Sequence, residues 1–139
     1  MNNALSVMHK IINDVCIEYS LGEVEVIECS IFACEPIDKV LYITDEEDEI
    51  EYEGNKFLEG YLYDKFGIKI PRDKMYIFST LHELGHIITF PDIDEKAYWE
   101  EANKEGELDF LGHRQIHGEY IADVWAIKYI KNNMESIIC

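Results

Sequence analysis

The chain is poor in basic side chains. It carries 12 Lys and Arg against 29 Asp and Glu, which gives a formal net charge of −17. A field of this sign repels the phosphates of nucleic acids, so it argues against direct nucleic-acid binding and favours basic protein partners. The imbalance is largest in residues 1–53, which hold 14 acidic and two basic side chains, whereas residues 54–139 have a net charge of −5. The acidic run at 45–49 is typical of a solvated turn.

Long apolar runs are also missing. No stretch approaches the roughly 18 residues that a membrane-crossing helix requires. The N-terminal segment does not place a basic region before an apolar one, as a secretory signal would. These absences predict a cytoplasmic protein that makes no contact with a membrane. The sequence also contains no internal repeat and no low-complexity segment.

Cysteine is sparse, and its spacing excludes two kinds of site. The four cysteines, at positions 16, 29, 34 and 139, form no Cys-x-x-Cys pair. The sequence therefore lacks both the redox motif and the zinc-ligand motif of that type. In a reducing compartment we expect these thiols to be buried and structural. A contact between Cys29 and Cys34 is the alternative.

The patterns that are present predict a single α+β domain spanning residues 1–139. A chain of 139 residues that is 47% hydrophobic can bury one core but is short for two domains. Apolar periodicity and the positions of Gly and Pro predict helices at 3–20, 55–66, 73–90, 94–105 and 118–133. Alternating, β-branched segments predict strands at 24–33 and 39–44, with a short third strand at 49–53. The result would be a small, mainly antiparallel sheet packed with helices.

The most informative motif is His-Glu-Leu-Gly-His at residues 82–86, inside the predicted helix at 73–90. Residues four apart lie one above the other on a helix, so His82 and His86 can offer both imidazoles to one metal ion while Glu83 lies beside them. A separate apolar stripe on the same helix can face the core; it consists of Ile77, Leu81, Leu84 and Ile88. The alternative is a chance match, expected on the order of a few times per thousand chains of this length.

A catalytic zinc site normally takes a third protein ligand and keeps a fourth position for water. Glu119 is the best candidate, because it shares a helical face with Asp123 and with the small residues Ala122 and Ala126. Burying two unpaired carboxylates on that face would be costly, whereas a metal ligand and a hydrogen-bond partner for a ligating imidazole would explain both. The alanines would also let two helices approach closely.

Other interpretations of this second helix stay open. Glu119 and Asp123 could pair with Lys or Arg on a salt-bridged face. His113 or His117 could supply the third ligand, although the glycines beside them interrupt a helix that would run through both. His117 or Tyr120 could instead stabilise an oxyanion.

Together, the two segments resemble the gluzincin metallopeptidases, in which a His-Glu-x-x-His helix is followed by a Glu-x-x-x-Asp helix. The first segment, Phe78-x-x-Leu81-His82-Glu83-Leu84-Gly85-His86, and the second, Glu119-x-x-Ala122-Asp123-x-Trp125-Ala126, resemble more narrowly the ImmA/IrrE family of small bacterial and mobile-element peptidases. The resemblance covers residues 75–130.

That resemblance implies a zinc-dependent endopeptidase with a zincin-like pair of active-site helices. Zn²⁺ would be held by His82, His86 and Glu119, and Glu83 would be the catalytic base. Asp123 would orient a ligating histidine, which is His82 in the gluzincin arrangement. The implied substrate is a DNA-binding repressor of the helix-turn-helix type, from a mobile element or a stress regulon. The acidic chain would attract a basic repressor of this kind.

A different class of function is also compatible with the composition. A non-catalytic acidic binding or inhibitor protein would use residues 1–53 to mimic DNA, and its metal site would be structural or vestigial. The substitution Glu83→Gln separates the two hypotheses, because it removes a catalytic base and leaves a binding surface in place.

Overall fold

A computed structural model of the protein describes residues 3–46, 49–90 and 117–134. Within these ranges the helices are Asn3–Glu18 (α1), Glu49–Phe66 (α2), Met75–Thr89 (α3) and His117–Asn133 (α4). The strands are Glu25–Glu28 (β1), Ala33–Glu35 (β2) and Val40–Ile43 (β3). The predicted α+β class is confirmed, and the predicted helix at 94–105 lies outside the described residues. None of the described helices combines the length and the apolar character needed to cross a membrane.

Several helix bounds differ from the prediction by one or two residues, and the start of α2 differs by six. α1 ends at Glu18 because Ser20 adopts a left-handed backbone conformation with φ of 53°, and the Leu21 N–H donates to the Cys16 carbonyl at 3.0 Å. α2 begins at Glu49, so the predicted third strand at 49–53 is wrong. A window of five residues that alternates acidic and apolar side chains is too short to separate the period of a strand from that of a helix.

The sheet is mixed, with the strand order β1-β3-β2. β1 runs parallel to β3, and β2 runs antiparallel to it, so the predicted mainly antiparallel pairing is wrong for one of the two strand pairs. The predicted strand at 24–33 is interrupted after Cys29, whose N–H still donates to the Ile43 carbonyl at 2.8 Å. The chain then turns and returns along the other edge of β3. Alternation of side chains predicts extended backbone, but it does not show where the hydrogen-bonding partner changes.

Helix α3 lies in the middle of the domain, where it contacts α1, α4 and β2. Its predicted apolar stripe does face the core: Ile77, Leu81 and Leu84 are buried, and Ile88 is partly buried against the same cluster. Fully buried core side chains from the other elements include Met8, Val15, Leu41, Ile43 and Ile130. Because α3 is enclosed, the polar side chains that it carries must find partners inside the protein.

Candidate metal centre

Helix α3 brings two imidazoles together on the side that faces α4. His82 and His86 are one helical turn apart, and their Nε2 atoms are separated by 3.2 Å. Both residues are buried, with 5% and 7% of their surface exposed. Two ring nitrogens that face each other at this distance need a proton or a metal ion between them, because two lone pairs would repel.

Helix α4 adds a carboxylate to the same point. One oxygen of Glu119 (Oε2) lies 2.8 Å from Nε2 of His82, and the other (Oε1) lies 3.0 Å from Nε2 of His86. Glu119 stands in the first turn of α4, so its position depends on where that helix begins relative to α3. We call His82, His86 and Glu119 the ligand cluster.

The ligand cluster fits a metal ion. Its ligand atoms all lie within 4.8 Å of one another. Zinc bonds of about 2.0–2.2 Å arranged as a tetrahedron would separate the ligand atoms by about 3.3–3.6 Å. The observed contacts of 2.8–3.2 Å are slightly shorter, and small side-chain rotations would correct this difference. This buried group could therefore hold a metal ion, and a three-residue set leaves a fourth position for water or substrate.

The charges around His82 also favour a cation. Burial lowers the pKa of its imidazole, but the carboxylates of Glu119 and Asp123 raise it more, and the resulting pKa is about 10 instead of the usual 6.5. In the metal-free protein at neutral pH, a proton therefore supplies the positive charge that these carboxylates require. A metal ion at the same point would replace that proton.

Asp123 lies behind the ligand cluster. Its Oδ1 is 2.7 Å from Nδ1 of His82, on the opposite side of the ring from Glu119, and its side chain is fully buried. When the carboxylate accepts the Nδ1 proton, the lone pair of Nε2 is directed at the ligand cluster. Glu119 and Asp123 therefore do not lie on a solvent-exposed face of α4.

Glu83 lies at the edge of the ligand cluster. Its Oε1 is 3.8 Å from Nε2 of His82, and 13% of its side chain is exposed. The carboxylate is therefore close to the metal position without belonging to the ligand set. Burial, and then the charge of Glu83, raises the pKa of the Cys34 thiol on β2. The sequence did not predict that Cys34 lies near Glu83, because the spacing of the cysteines contains no information about which helix β2 would meet.

The distance between α3 and α4 is set by a contact between two small residues. A Cβ added to Gly85 would lie 3.0 Å from the carbonyl oxygen of Ala122 and 3.2 Å from its Cα. Ala122 and Ala126 are both fully buried. The alanines were expected to allow a close approach, and Gly85 is the additional residue that makes it possible.

Tyr120 was a candidate, with His117, for stabilising an oxyanion. The ring of Tyr120 stacks on Phe66 with a centroid separation of 6.3 Å, and Nζ of Lys65 lies 5.7 Å from the Tyr120 centroid. Tyr120 therefore packs against the end of α2. His113 and the side chain of His117 lie outside the described residues, so their proposed roles stay predictions.

Comparison with protein-family models, curated proteins and solved structures gives no match to this chain. The chemistry of the centre is therefore argued from its own residues. The centre consists of two imidazoles, one carboxylate that bridges them, a buried acid behind one ring and a second acid at the rim, and this set could hold a cation.

The first prediction concerns the third ligand. Glu119→Ala should lower zinc affinity by more than the roughly 10–100-fold that is typical of losing an outer hydrogen-bond partner, because it removes a direct ligand. Titration against a competing chelator measures the change. Glu18→Ala, an exposed acid on α1, is the matched control and should bind zinc like the parent protein. Unchanged zinc binding by Glu119→Ala, with loss of the metal in His113→Ala or His117→Ala, would assign the third ligand to a histidine.

The second prediction concerns the approach of the two helices. Gly85→Ala should destabilise the protein by about 1–3 kcal/mol and weaken zinc binding, because the new methyl group meets backbone atoms that cannot rotate away. Gly60→Ala on α2 is the matched control, since nothing lies within 4 Å of its added Cβ. There the higher helix propensity of Ala should raise stability by up to about 1 kcal/mol. Urea unfolding and zinc titration of both variants measure the effects, and equal behaviour would refute a role for Gly85 in spacing the helices.

The third prediction concerns Asp123. Asp123→Ala should reduce zinc affinity by about 10–100-fold without abolishing it, because the His82 ring would lose the partner that orients it. Asp14→Ala removes an exposed carboxylate paired with Lys10 at 2.8 Å. That change should cost at most about 1 kcal/mol of stability and leave zinc affinity unchanged. If Asp123→Ala also left the affinity unchanged, Asp123 would have only a packing role.

Proposed function

We propose that this protein is a zinc-dependent endopeptidase that hydrolyses a peptide bond in a protein substrate. The observation that carries the proposal is the convergence of His82, His86 and Glu119 from two helices, with Glu83 beside them. Imidazole and carboxylate ligands in a three-residue set suit zinc in a catalytic site. The resemblance of the two helical segments to the gluzincin and ImmA/IrrE peptidases agrees with this assignment.

The proposed reaction divides the chemistry between the ion and the chain. When bound, the zinc ion would polarise the scissile carbonyl and lower the pKa of a water molecule towards 7. Glu83 accepts a proton from the attacking water and later passes it to the nitrogen of the leaving amine. The C–N bond breaks, a new C–O bond forms, and Glu83 returns to its starting state. Its position 3.8 Å from Nε2 of His82 supports this role, because a base there would be close to a bound ion without being a ligand.

Two other acidic side chains, Asp123 and Glu119, orient the histidines and add negative charge to the site. Asp123 lies 2.7 Å from Nδ1 of His82 and would hold the ring so that Nε2 is directed at the position that an ion would take. Glu119 bridges both histidines and adds negative charge to the ligand set. Because all of these side chains are buried or nearly so, their mutual interactions are stronger than they would be in water.

The charge of the chain supports a basic substrate. Acidic side chains are exposed on and beside the sheet, next to the strand that packs on α3; among them are Glu25, Glu28, Glu35, Asp45 and Glu46. A net charge of −17 would speed the encounter with a basic protein. A DNA-binding repressor of the helix-turn-helix type, the substrate class implied by the resemblance, has this chemistry.

The test begins without a known substrate. The zinc-loaded protein is incubated with a library of peptides prepared from a bacterial proteome, and new peptide termini are identified by mass spectrometry. We expect termini that depend on the protein and disappear when a chelator removes the metal. A zinc-loaded protein that generates no new termini from the library or from candidate basic repressors would favour the acidic binding protein instead.

The fourth prediction concerns the base. Glu83→Gln should retain zinc but lose at least about 10²–10⁴-fold in hydrolysis, because Gln keeps the size of the side chain and cannot accept the proton from water. Glu18→Gln, a change at an exposed acid on α1, should cleave like the parent protein. Chelator titration and the rate on a peptide selected from the library measure the two properties. Retained cleavage by Glu83→Gln would falsify the role of Glu83.

A further inference from the structure

The position of Glu119 depends on the first turn of α4, where this residue stands. The backbone N–H groups of a first helical turn have no partners within the helix, so helix ends fray more readily than the turns behind them. Ala122 and Asp123, which hold α4 against α3, come about one turn after Glu119. A further support at the start of α4 would keep the Glu119 carboxylate between the two histidines.

Tyr120, the residue after Glu119, reaches from this first turn to the end of α2. Its ring stacks on the ring of Phe66 with a centroid separation of 6.3 Å and an interplanar angle of 24°. Nζ of Lys65 lies 5.7 Å from the centroid of the Tyr120 ring, within the range of a cation–π interaction. Two consecutive residues of α2 therefore contact the side chain that follows the ligand.

The end of α2 is itself held in place. Gly67 adopts a left-handed conformation with φ of 66°, and its N–H donates to the Tyr63 carbonyl at 3.0 Å, which closes the helix. The ring of Tyr61 packs edge-on against Phe66 at a centroid separation of 6.0 Å. Lys131, from the last turn of α4, donates to the Phe66 carbonyl at 3.3 Å. Phe66 is thus fixed through both its ring and its backbone.

The contact between Tyr120 and Phe66 is better suited to fixing a direction than to stabilising the core. Tyr120 keeps 39% of its surface exposed, and Phe66 is only partly buried. The area that the pair removes from water is therefore smaller than that of a core contact. Stacked rings nevertheless prefer a defined mutual geometry. The stack can restrict the orientation of the turn that carries Glu119.

We propose that the stack of Tyr120 on Phe66 positions Glu119, so that the Glu119 carboxylate reaches Nε2 of both histidines, at 2.8 and 3.0 Å. Tyr120 and Phe66 are positioning residues: they are not part of the ligand cluster, and they act through Glu119. The proposal rests on the metal centre of the proposed function and requires no substrate. It can therefore be tested with the metal-free protein and with a metal ion alone.

Nuclear magnetic resonance of the metal-free protein tests the arrangement directly. With isotope-labelled histidine, the Nε2 signals of His82 and His86 depend on the carboxylate beside them. Glu119→Ala defines the shift that follows its loss. Tyr120→Leu and Phe66→Leu should move the same two signals in the same direction, and the second variant serves if the first does not fold. Tyr120→Phe keeps the ring and should leave both signals near their parent positions.

Metal binding tests the consequence. Tyr120→Leu and Phe66→Leu should each lower zinc affinity by about 10–100-fold, the usual effect of losing a group that orients a ligand. Tyr120→Phe should bind zinc like the parent protein. The visible absorption of the protein saturated with Co²⁺ reports the ligand geometry. It should change in both leucine variants, whereas a loss of stability alone would leave the spectrum of the saturated protein unchanged.

The matched control is Tyr19→Leu, because the Tyr19 ring contacts a later part of α4, with its centroid 5.4 Å from that of Trp125. This change should lower stability and leave the zinc affinity and the cobalt spectrum unchanged. Parent-like affinity and spectra in both Tyr120→Leu and Phe66→Leu would overturn the proposal, as would an equal loss in Tyr19→Leu or Tyr120→Phe. A parent protein that binds neither metal would refute the proposed function, and the histidine signals would still decide whether the stack positions Glu119.

Discussion

The contact between Gly85 and Ala122 is the constraint on which the rest of the centre depends. It lets the backbones of α3 and α4 approach until an added Cβ would lie 3.0 Å from a carbonyl oxygen. At this separation, Glu119 reaches both histidines and Asp123 reaches the far side of the His82 ring. Longer or branched side chains between the helices would hold the two halves of the ligand cluster apart.

Close packing also brings several carboxylates together, and a positive charge offsets their mutual repulsion. Glu83, Glu119 and Asp123 are gathered around one imidazole inside an already acidic protein. Like charges at such distances repel strongly where water is excluded. Without metal, the proton on His82 offsets this repulsion, as its raised pKa shows. A divalent ion would offset it further, so ion binding and the stability of the helix pair should be linked.

The sheet contributes more to the centre than its small size suggests. Its mixed order places β2 at an edge, against α3, where burial and then the charge of Glu83 raise the pKa of the Cys34 thiol. The sequence predicted extended backbone there but joined β1 and β2 into one strand, because alternation is a local pattern. It also predicted a strand where α2 begins, since the short segment at 49–53 fits either period. Pairing order depends on contacts between segments that are separated along the chain, and periodicity does not encode them.

The sequence by itself determined which side chains share a helical face, because the helical repeat fixes their spacing. His82 and His86 share a face of α3, and Glu119 and Asp123 share a face of α4. Side chains that are close in sequence have relative positions set by backbone geometry alone. Only the tertiary structure decided how near the two faces come, that Asp123 meets His82, and that β2 packs against α3. Those relations depend on how helices and strands pack on one another, and packing is settled by the shapes of all the side chains in the interface together.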